Sequence, residues 1–306
     1  ATFNIGHNKN KIDKLASGEK EWILTSAWRN DVVNSDDYRA YVGGTSGLIY
    51  GYVNDGFYTV ADFEPFDSKS RSWKLKEGVV DSSPLSDTPR PGNAKFKKLT
   101  PVDPNSTNPY QLTEADRTVI GNTTPKFSGG FGLNATYKGF DMSMFFNFMY
   151  DFDVLNANKI MLTTWADNKE NNFLMNIASD KRWRNFDDMG NEIRYSPEVL
   201  AEFNKNATMW NPTSIGRPIC MSYAVEDGSF LRLNSATLGY TLPSVWTKKV
   251  GLSKVRFYVS GNNLFTLTGY SGYDPEVNIA TGLTPNIDYN RYPRSRTYTF
   301  GAQLTF

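Results

Sequence analysis

The last nine residues alternate strictly. Over Tyr298 to Phe306 the positions 298, 300, 302, 304 and 306 are apolar, whereas 299, 301, 303 and 305 are Thr, Gly, Gln and Thr. A period of two over that length predicts a strand with one greasy and one polar face. The pattern recurs upstream as a pair. Phe127, Phe131, Leu133, Ala135 and Tyr137 oppose Ser128, Gly130, Gly132, Asn134 and Thr136. Lys138 and Gly139 then turn the chain, and Met142, Met144, Phe146, Phe148 and Tyr150 oppose Asp141, Ser143 and Asn147. This is the signature of a tight hairpin. Phe145 and Met149 interrupt the polar face, so that side is expected to pack partly against other protein. In residues 229–242 Leu231 and Leu233 share one parity and Ala236, Leu238, Tyr240 and Leu242 the other, a switch that predicts a β-bulge near Asn234. Val255, Phe257, Val259 and Gly261 alternate with Arg256, Tyr258, Ser260 and Asn262. Residues 1–5 read as the end of a strand and 47–53 as another, while Trp22 to Trp28 fits no element.

The connections are lopsided. The turns after Tyr137 and Leu242 are brief, whereas 54–124 and 151–228 far exceed the usual handful of residues. Short turns on one rim and long loops on the other suit a membrane-spanning antiparallel barrel, whose strands need only about 9 to 11 alternating residues. The fold class expected is therefore all-β: about seven strands, residues 1–306 forming part of the wall of a large transmembrane β-barrel with long loops. The strands ending at 5, 137, 242 and 306 are expected to run one way. An odd set with open edges cannot stand in lipid, because its edge amides lack partners, so it must close against further strands. The opening at Ala1 likewise reads as the middle of a longer chain.

Composition narrows the chemistry. The single histidine and single cysteine among 306 residues, His7 and Cys220, exclude a multi-ligand zinc site and a disulfide scaffold, and both are expected to be structural. A net charge of +1 provides no basic field for nucleic acid. The acid pairs Asp151/Asp153 and Asp187/Asp188 lie in polar loops and are expected to be solvated, not held across a cleft as glycoside hydrolysis demands; no enzyme activity and no cofactor are expected. Ser196 to Phe203 reads as a short loop helix with Ser at the N-cap and Pro at N1.

Several motifs, in order, resemble one family. They are Asn8-Lys9-Asn10-Lys11-Ile12, Gly51-Tyr52 with Asp55-Gly56, Asp116-Arg117-Thr118-Val119-Ile120-Gly121-Asn122 with Pro125-Lys126-Phe127, and Tyr137-Lys138-Gly139-Phe140-Asp141. Downstream come Asp227 to Leu233 with Leu238-Gly239-Tyr240, Gly261-Asn262-Asn263-Leu264-Phe265, Gly272-Tyr273-Asp274-Pro275-Glu276 and Tyr292-Pro293-Arg294. Together they resemble the SusC/RagA family of TonB-dependent outer-membrane transporters, with the Asn8 segment matching a periplasmic turn. The resemblance implies the C-terminal portion of a 22-stranded barrel whose plug domain, TonB box and earlier strands are absent from this chain. Many members carry a calcium-type acidic run before the Asp116 motif. Here Asp103, Glu114 and Asp116 lack that spacing, so no calcium is expected.

What the resemblance implies is import of a bulky oligosaccharide or oligopeptide across a Gram-negative outer membrane. The implied partners are a SusD-like lipoprotein, TonB acting through the absent regions, and the lipid bilayer, with long loops extracellular and the C-terminus periplasmic. Candidate substrate or lid contacts are Trp165, Trp183, Arg184, Trp210, Tyr273, Tyr289 and Tyr292, since aromatic faces stack on sugars and peptide side chains alike. The plainer alternative is that they pack loops together. Tyr298, Phe300, Leu304 and Phe306 form a candidate barrel-assembly signal. Two rival readings are a soluble glycan-binding β-sandwich, in which the Phe131, Leu133, Tyr298 and Phe300 faces would be buried, and a siderophore or cobalamin receptor of the same barrel fold. Deleting Phe306 from the intact protein is expected to lower the amount of assembled barrel in membranes; unchanged levels would reject the assembly role.

Overall fold

The computed structural model describes residues 1–26, 28, 36–86, 88–164, 174, 181–215, 218–276 and 282–306. Among these the strands are β1 (Thr2–Gly6), β2 (Glu21–Thr25), β3 (Asp36–Tyr41), β4 (Leu48–Gly51), β5 (Asn54–Phe57), β6 (Ala94–Phe96), β7 (Thr118–Asn122), β8 (Phe127–Tyr137), β9 (Phe140–Tyr150), β10 (Asp153–Asn156), β11 (Val225–Asp227), β12 (Phe230–Thr241), β13 (Lys254–Thr268), β14 (Ile287–Asp288) and β15 (Thr297–Thr305). The helices α1 (Ala157–Met161), α2 (Pro197–Phe203) and α3 (Ser244–Thr247) are short.

One six-stranded sheet, in the order β1-β8-β9-β12-β13-β15 and antiparallel throughout, forms a wall. Its register explains the alternation. Directly paired residues point to the same face, and the pairs line up as rows: Phe3–Phe131–Phe146–Leu233–Phe265, Ala135–Met142–Leu238–Val259–Phe300 and Tyr137–Phe140–Tyr240–Phe257–Ala302. Between the first two runs Leu133–Met144–Ala236–Gly261–Tyr298. The offset rows on the opposite face are polar, for example Asn134–Ser143–Thr237–Ser260–Thr299. From Phe140 to Tyr150, β9 covers roughly 33 Å along the strand, or about 25 Å of height at a barrel tilt near 40°, which matches an apolar membrane band.

The apolar face is bare. Phe300 is 80% exposed, Tyr298 62% and Leu133 39%. No second sheet covers these residues among those described, which removes the β-sandwich alternative. Aromatic contacts brace the face laterally: Phe131 stacks on Phe146 at 4.6 Å, and Phe140 lies 4.5 Å from Tyr240 beside the short turns.

The wall holds six strands where about seven were expected. Segment 47–53 does form a strand, β4, but it pairs with β3 and β7 in a separate sheet. That changes the direction of everything before it. β1 is antiparallel to β8, so the strand ending near residue 5 runs opposite to those ending at 137, 242 and 306. The Asn8 segment consequently lies among the long loops and is not a turn on the short-turn rim; Ile12 and Gly43 exchange backbone bonds there with Gly44 and Ile12. The first long connection is therefore 7–126. Counting strands by alternation assigns direction by parity, and a half-buried loop strand alternates just as a spanning strand does.

The bulge at Asn234 is present, with Leu233 paired to Phe146 and Ser235 to Phe145. Across it β13 carries two extra residues, Asn263 and Leu264, and Asn263 adopts a left-handed φ of 52°. Asparagine tolerates that conformation better than most residues.

On the polar face, Arg256 of β13 crosses Gly239 of β12 to reach Asp141 of β9, with Nε donating to Oδ1 at 2.9 Å. Any side chain at 239 would fill the guanidinium's path. The Tyr258 ring likewise lies over Gly301.

The long connections build a cap with its own cores. Tyr52, Phe96, Leu112, Trp210 and Met221 bury one; Tyr38, Ile49, Leu155, Ile160 and Ile287 bury another. The second draws on all three long connections, 7–126, 151–229 and 269–296, and the parallel pairing of β10 with β14 ties the last two by backbone bonds. Met149, which broke the polar face, packs at the cap's base against Phe152, Phe230 and Tyr270.

Leu133→Arg, at mid-height on the bare face, is expected to cost the intact protein about 2–4 kcal/mol in a bilayer, and Asn134→Arg on the polar face much less. Urea titrations in lipid vesicles measure both, and equal costs would reject the assignment of faces.

Candidate functional site

The motifs scattered through the sequence meet in space. Arg232 of β12, 1% exposed, projects from the loop end of the polar face. Its Nη2 bonds Asp274 Oδ1 at 2.5 Å and lies 3.1 Å from Glu276 Oε2, while Arg294 reaches Glu276 at 3.3 Å. The Phe230-to-Leu233, Asp274-Pro275-Glu276 and Tyr292-Pro293-Arg294 motifs are thus one ionic clamp that fixes the last long loop to the wall. Removing one member of such a buried set leaves charge uncompensated, typically at about 3–5 kcal/mol.

A second junction joins two earlier motifs. The Arg117 guanidinium lies 4.6 Å from the Tyr50 ring and 5.9 Å from that of Tyr52. Beside it, Asp116 is fully buried and accepts bonds from the Leu99, Thr100 and Thr113 amides at 2.7–2.8 Å and from both threonine hydroxyls. Burial alone would raise its pKa, but those donors hold it far below the usual carboxylate range. With its oxygens so occupied, Asp116 is a hub for the loop. Asp37 is the opposite case: burial outweighs the bonds from Ser26 and pushes its carboxyl up to about 6.

A cleft of about 720 Å³ opens in the cap between α1 and the last long loop, lined by Asn156, Asn158, Lys159, Asp288, Asn290 and Arg291, with Tyr273 and Tyr292 on its rim. Both tyrosines are 88% exposed. The floor is cross-bonded: Asn158 Nδ2 donates to Asp288 Oδ1 at 3.1 Å, and the Tyr270 hydroxyl to Asp288 Oδ2 at 2.8 Å. Burial raises the Asp288 carboxyl, and burial next to Asp288 raises the Tyr270 phenol. Glu226 is lowered despite burial, by Ser271, Lys159 and Asn156. The cleft thus offers amides, two cations and two free aromatic faces, a surface suited to polyhydroxylated or amide-bearing ligands.

The sequence-derived candidates divide accordingly. Tyr273 and Tyr292 share the cleft. Trp183 and Trp210 are buried at 3% and 2%, the former edge-on to Phe57 at 5.6 Å and the latter donating to the Thr163 carbonyl at 3.3 Å. Tyr289 packs against Trp28 at 5.1 Å, and Arg184 pairs with Asp188 and covers Phe203. Trp165 lies outside the described residues. Of the acid pairs, Asp151 bonds Lys126, Asp153 accepts from the Asn122 amide, and Asp187 closes a turn with Asn191. His7 Nδ1 sits 2.5 Å from the Lys126 carbonyl, and Cys220, its thiol pushed up by burial, offers its carbonyl to the Tyr52 amide. Ser196 occupies the N-cap of α2 without a capping bond from its side chain. Sequence reasoning missed the cleft's Asn156, Asn158 and Asn290. The first two sit where alternation stops and α1 begins, which was the available signal.

No family model matches the chain. TonB-dependent receptor P3 of Formosa agariphila is 32% identical over 310 residues, covering 99% of this chain and 26% of the relative. TonB-dependent receptor SusC of Bacteroides thetaiotaomicron is 38% identical over 88 residues, 28% of this chain and 8% of that one. Among solved structures, a chain of the RagAB peptide importer in its open-open state superposes with a TM-score of 0.61 at 21% identity, covering 99% of this chain and 26% of that one. The chain is similar to TonB-dependent receptors of the SusC/RagA type. It spans about a quarter of the length of the curated TonB-dependent receptors that it matches end to end. The likeness to RagAB confirms that the bare, alternating sheet of this SusC/RagA-type chain is a stretch of barrel wall, with β1 and β15 as its edges.

In the full-length receptor, Trp183→Ala and Trp210→Ala are each expected to destabilise the cap by about 3–5 kcal/mol, whereas Tyr273→Ala and Tyr292→Ala stay within about 0.5 kcal/mol. Hydrogen exchange of the cap amides distinguishes them, and full protection in the tryptophan variants would show that those rings do not carry the packing.

Proposed function

We propose that the receptor containing this chain imports a bulky nutrient, an oligosaccharide or oligopeptide, across the outer membrane of a Gram-negative bacterium, energised through TonB. The observation that carries this reading is the wall: unbroken apolar rows on one face and hydroxyl and amide rows on the other, in a chain of SusC/RagA type. The bare face meets lipid and the polar face lines a wet passage in which uncharged hydrogen-bonding groups suit sugars or peptides. The chain supplies the C-terminal stretch of barrel, its short turns and final strand end at the periplasmic side, and its cap faces outward.

A SusD-like lipoprotein is the partner that would lie over the cap. Tyr273 and Tyr292 are the residues assigned to ligand or lipoprotein, because they alone among the described candidates combine large exposed rings with a polar cleft. The names SusC and RagAB peptide importer support this over a siderophore or cobalamin receptor. Uptake of the cognate nutrient by cells that depend on this receptor is expected to stop when the proton gradient is collapsed or TonB is deleted. Uptake that survives both treatments would defeat the reading, and a receptor that purifies without any lipoprotein would defeat the lid.

A further inference from the structure

Away from the cleft, three arginines meet at a smaller pocket of about 140 Å³. Arg71 and Arg90 come from the connection between β5 and β6, and Arg194 from the segment before α2. The Arg71 guanidinium lies 4.4 Å from the centre of the Tyr195 ring, and Arg194 approaches the same ring at 5.7 Å. One tyrosine therefore holds two cations. Arg71 adopts a left-handed φ of 52°, a conformation that a non-glycine residue takes at some cost, in a turn closed by backbone bonds between Asp67 and Ser72.

The counter-charge is short. Arg194 pairs with Glu192 at 2.5 Å, but Arg71 and Arg90 have no ion pair among the described residues, and no described Asp or Glu lines the pocket. Cations gathered round one ring with a single carboxylate nearby leave a positive potential that an incoming anion relieves, and the planar forks of guanidinium bind sulfate or carboxylate oxygens in pairs. The remaining wall is neutral and hydrogen-bonding, with Asn93, Asn185 and Thr213, and carries part of the Trp73 ring. An adjoining pocket of about 370 Å³ shares Asn185, Arg194 and Thr213, but it is also lined by Asp187 and its Arg184 is paired with Asp188, so the uncompensated charge is confined to the smaller pocket.

We infer that this pocket binds an anionic glycan through a sulfate ester or a uronate carboxylate. The Trp73 ring with the neighbouring amide and hydroxyl groups complements a sugar ring and its hydroxyls. A peptide would call for an acid to receive its ammonium end or for a strand edge to pair with its backbone, and neither lines the pocket among the described residues. That the glycan is cargo rests on the import reading; that it binds does not.

The test is equilibrium binding to the detergent-purified full-length receptor, with four probes: a sulfated oligogalactan, the same oligogalactan desulfated, an oligogalacturonate and a glutamate-rich hexapeptide. At least one charged glycan should bind about tenfold more tightly than the neutral one, with an advantage that shrinks as salt is raised. Arg71→Gln and Arg90→Gln should each remove about tenfold of that affinity while the receptor keeps its fold, because neither side chain holds an ion pair among the described residues. Equal binding of charged and neutral glycans, binding of the hexapeptide as tight as that of the charged glycans, or unaltered affinity in both variants would overturn the inference. A receptor that binds charged glycan but fails to import it defeats the import reading and leaves this site standing.

Discussion

A backbone amide placed in hydrocarbon has no water to bond, and that single demand governs this chain. It requires every spanning segment to be paired along its length, which the six-stranded ladder accomplishes internally and its two edges, β1 and β15, do not. It also dictates the side chains. Once the ladder is fixed, residues that are opposite one another share a solvent, so each lateral row must be apolar as a whole or polar as a whole. The rows from Phe3 to Phe265 and from Asn134 to Thr299 obey this across strands that lie far apart in sequence.

The cap answers to a different constraint. Its connections are too long to be held by the wall alone, so they bury cores of their own and are then fastened at a few points. The Arg232–Asp274–Glu276–Arg294 clamp is the clearest of these, since Arg232 belongs to a spanning strand and the other three residues to a loop. Much of what reads as a recognition motif in the sequence is therefore fastening. Residues left over from that task, exposed and without a packing role, are the better guides to ligands. Tyr273, Tyr292 and Arg90 meet this description, whereas Trp183 and Trp210 do not.

Alternation made β8, β9, β12 and β15 legible nearly to their ends and β13 as far as Asn262, where the unpaired Asn263 and Leu264 interrupt it, and the parity switch located the Asn234 bulge, because both signals arise from neighbours along the chain. Strand membership was less accessible. Segment 47–53 alternates as a spanning strand would, yet β4 is short and pairs within the cap; its length, four residues against eleven in β8, was the better discriminator. That one assignment inverted β1 and moved the Asn8 segment to the wrong rim. The cleft and the arginine pocket were illegible for another reason: Arg71, Arg90 and Arg194 converge only after two long connections have folded against each other, and no local pattern records that meeting.

The paired irregularity at Asn234 and at Asn263 with Leu264 acts as a phase shifter in the wall. In β12 the even positions face lipid below it and the odd positions above it; in β13, where two residues are taken up, the odd positions face lipid on both sides. Arg232 lies just above that point, and its place inside the clamp depends on the shift. Loss of Asn234 together with the bulge would set Leu233 beside Ser235 in an unbroken alternation that keeps Arg232 on the polar face, whereas flattening the bulge with Asn234 retained would turn the upper half of β12 inside out and aim a guanidinium at the bilayer. What holds the guanidinium in the passage is therefore the kink in the ladder and not the residue count, so the backbone shape at this height is constrained even where its residue types drift.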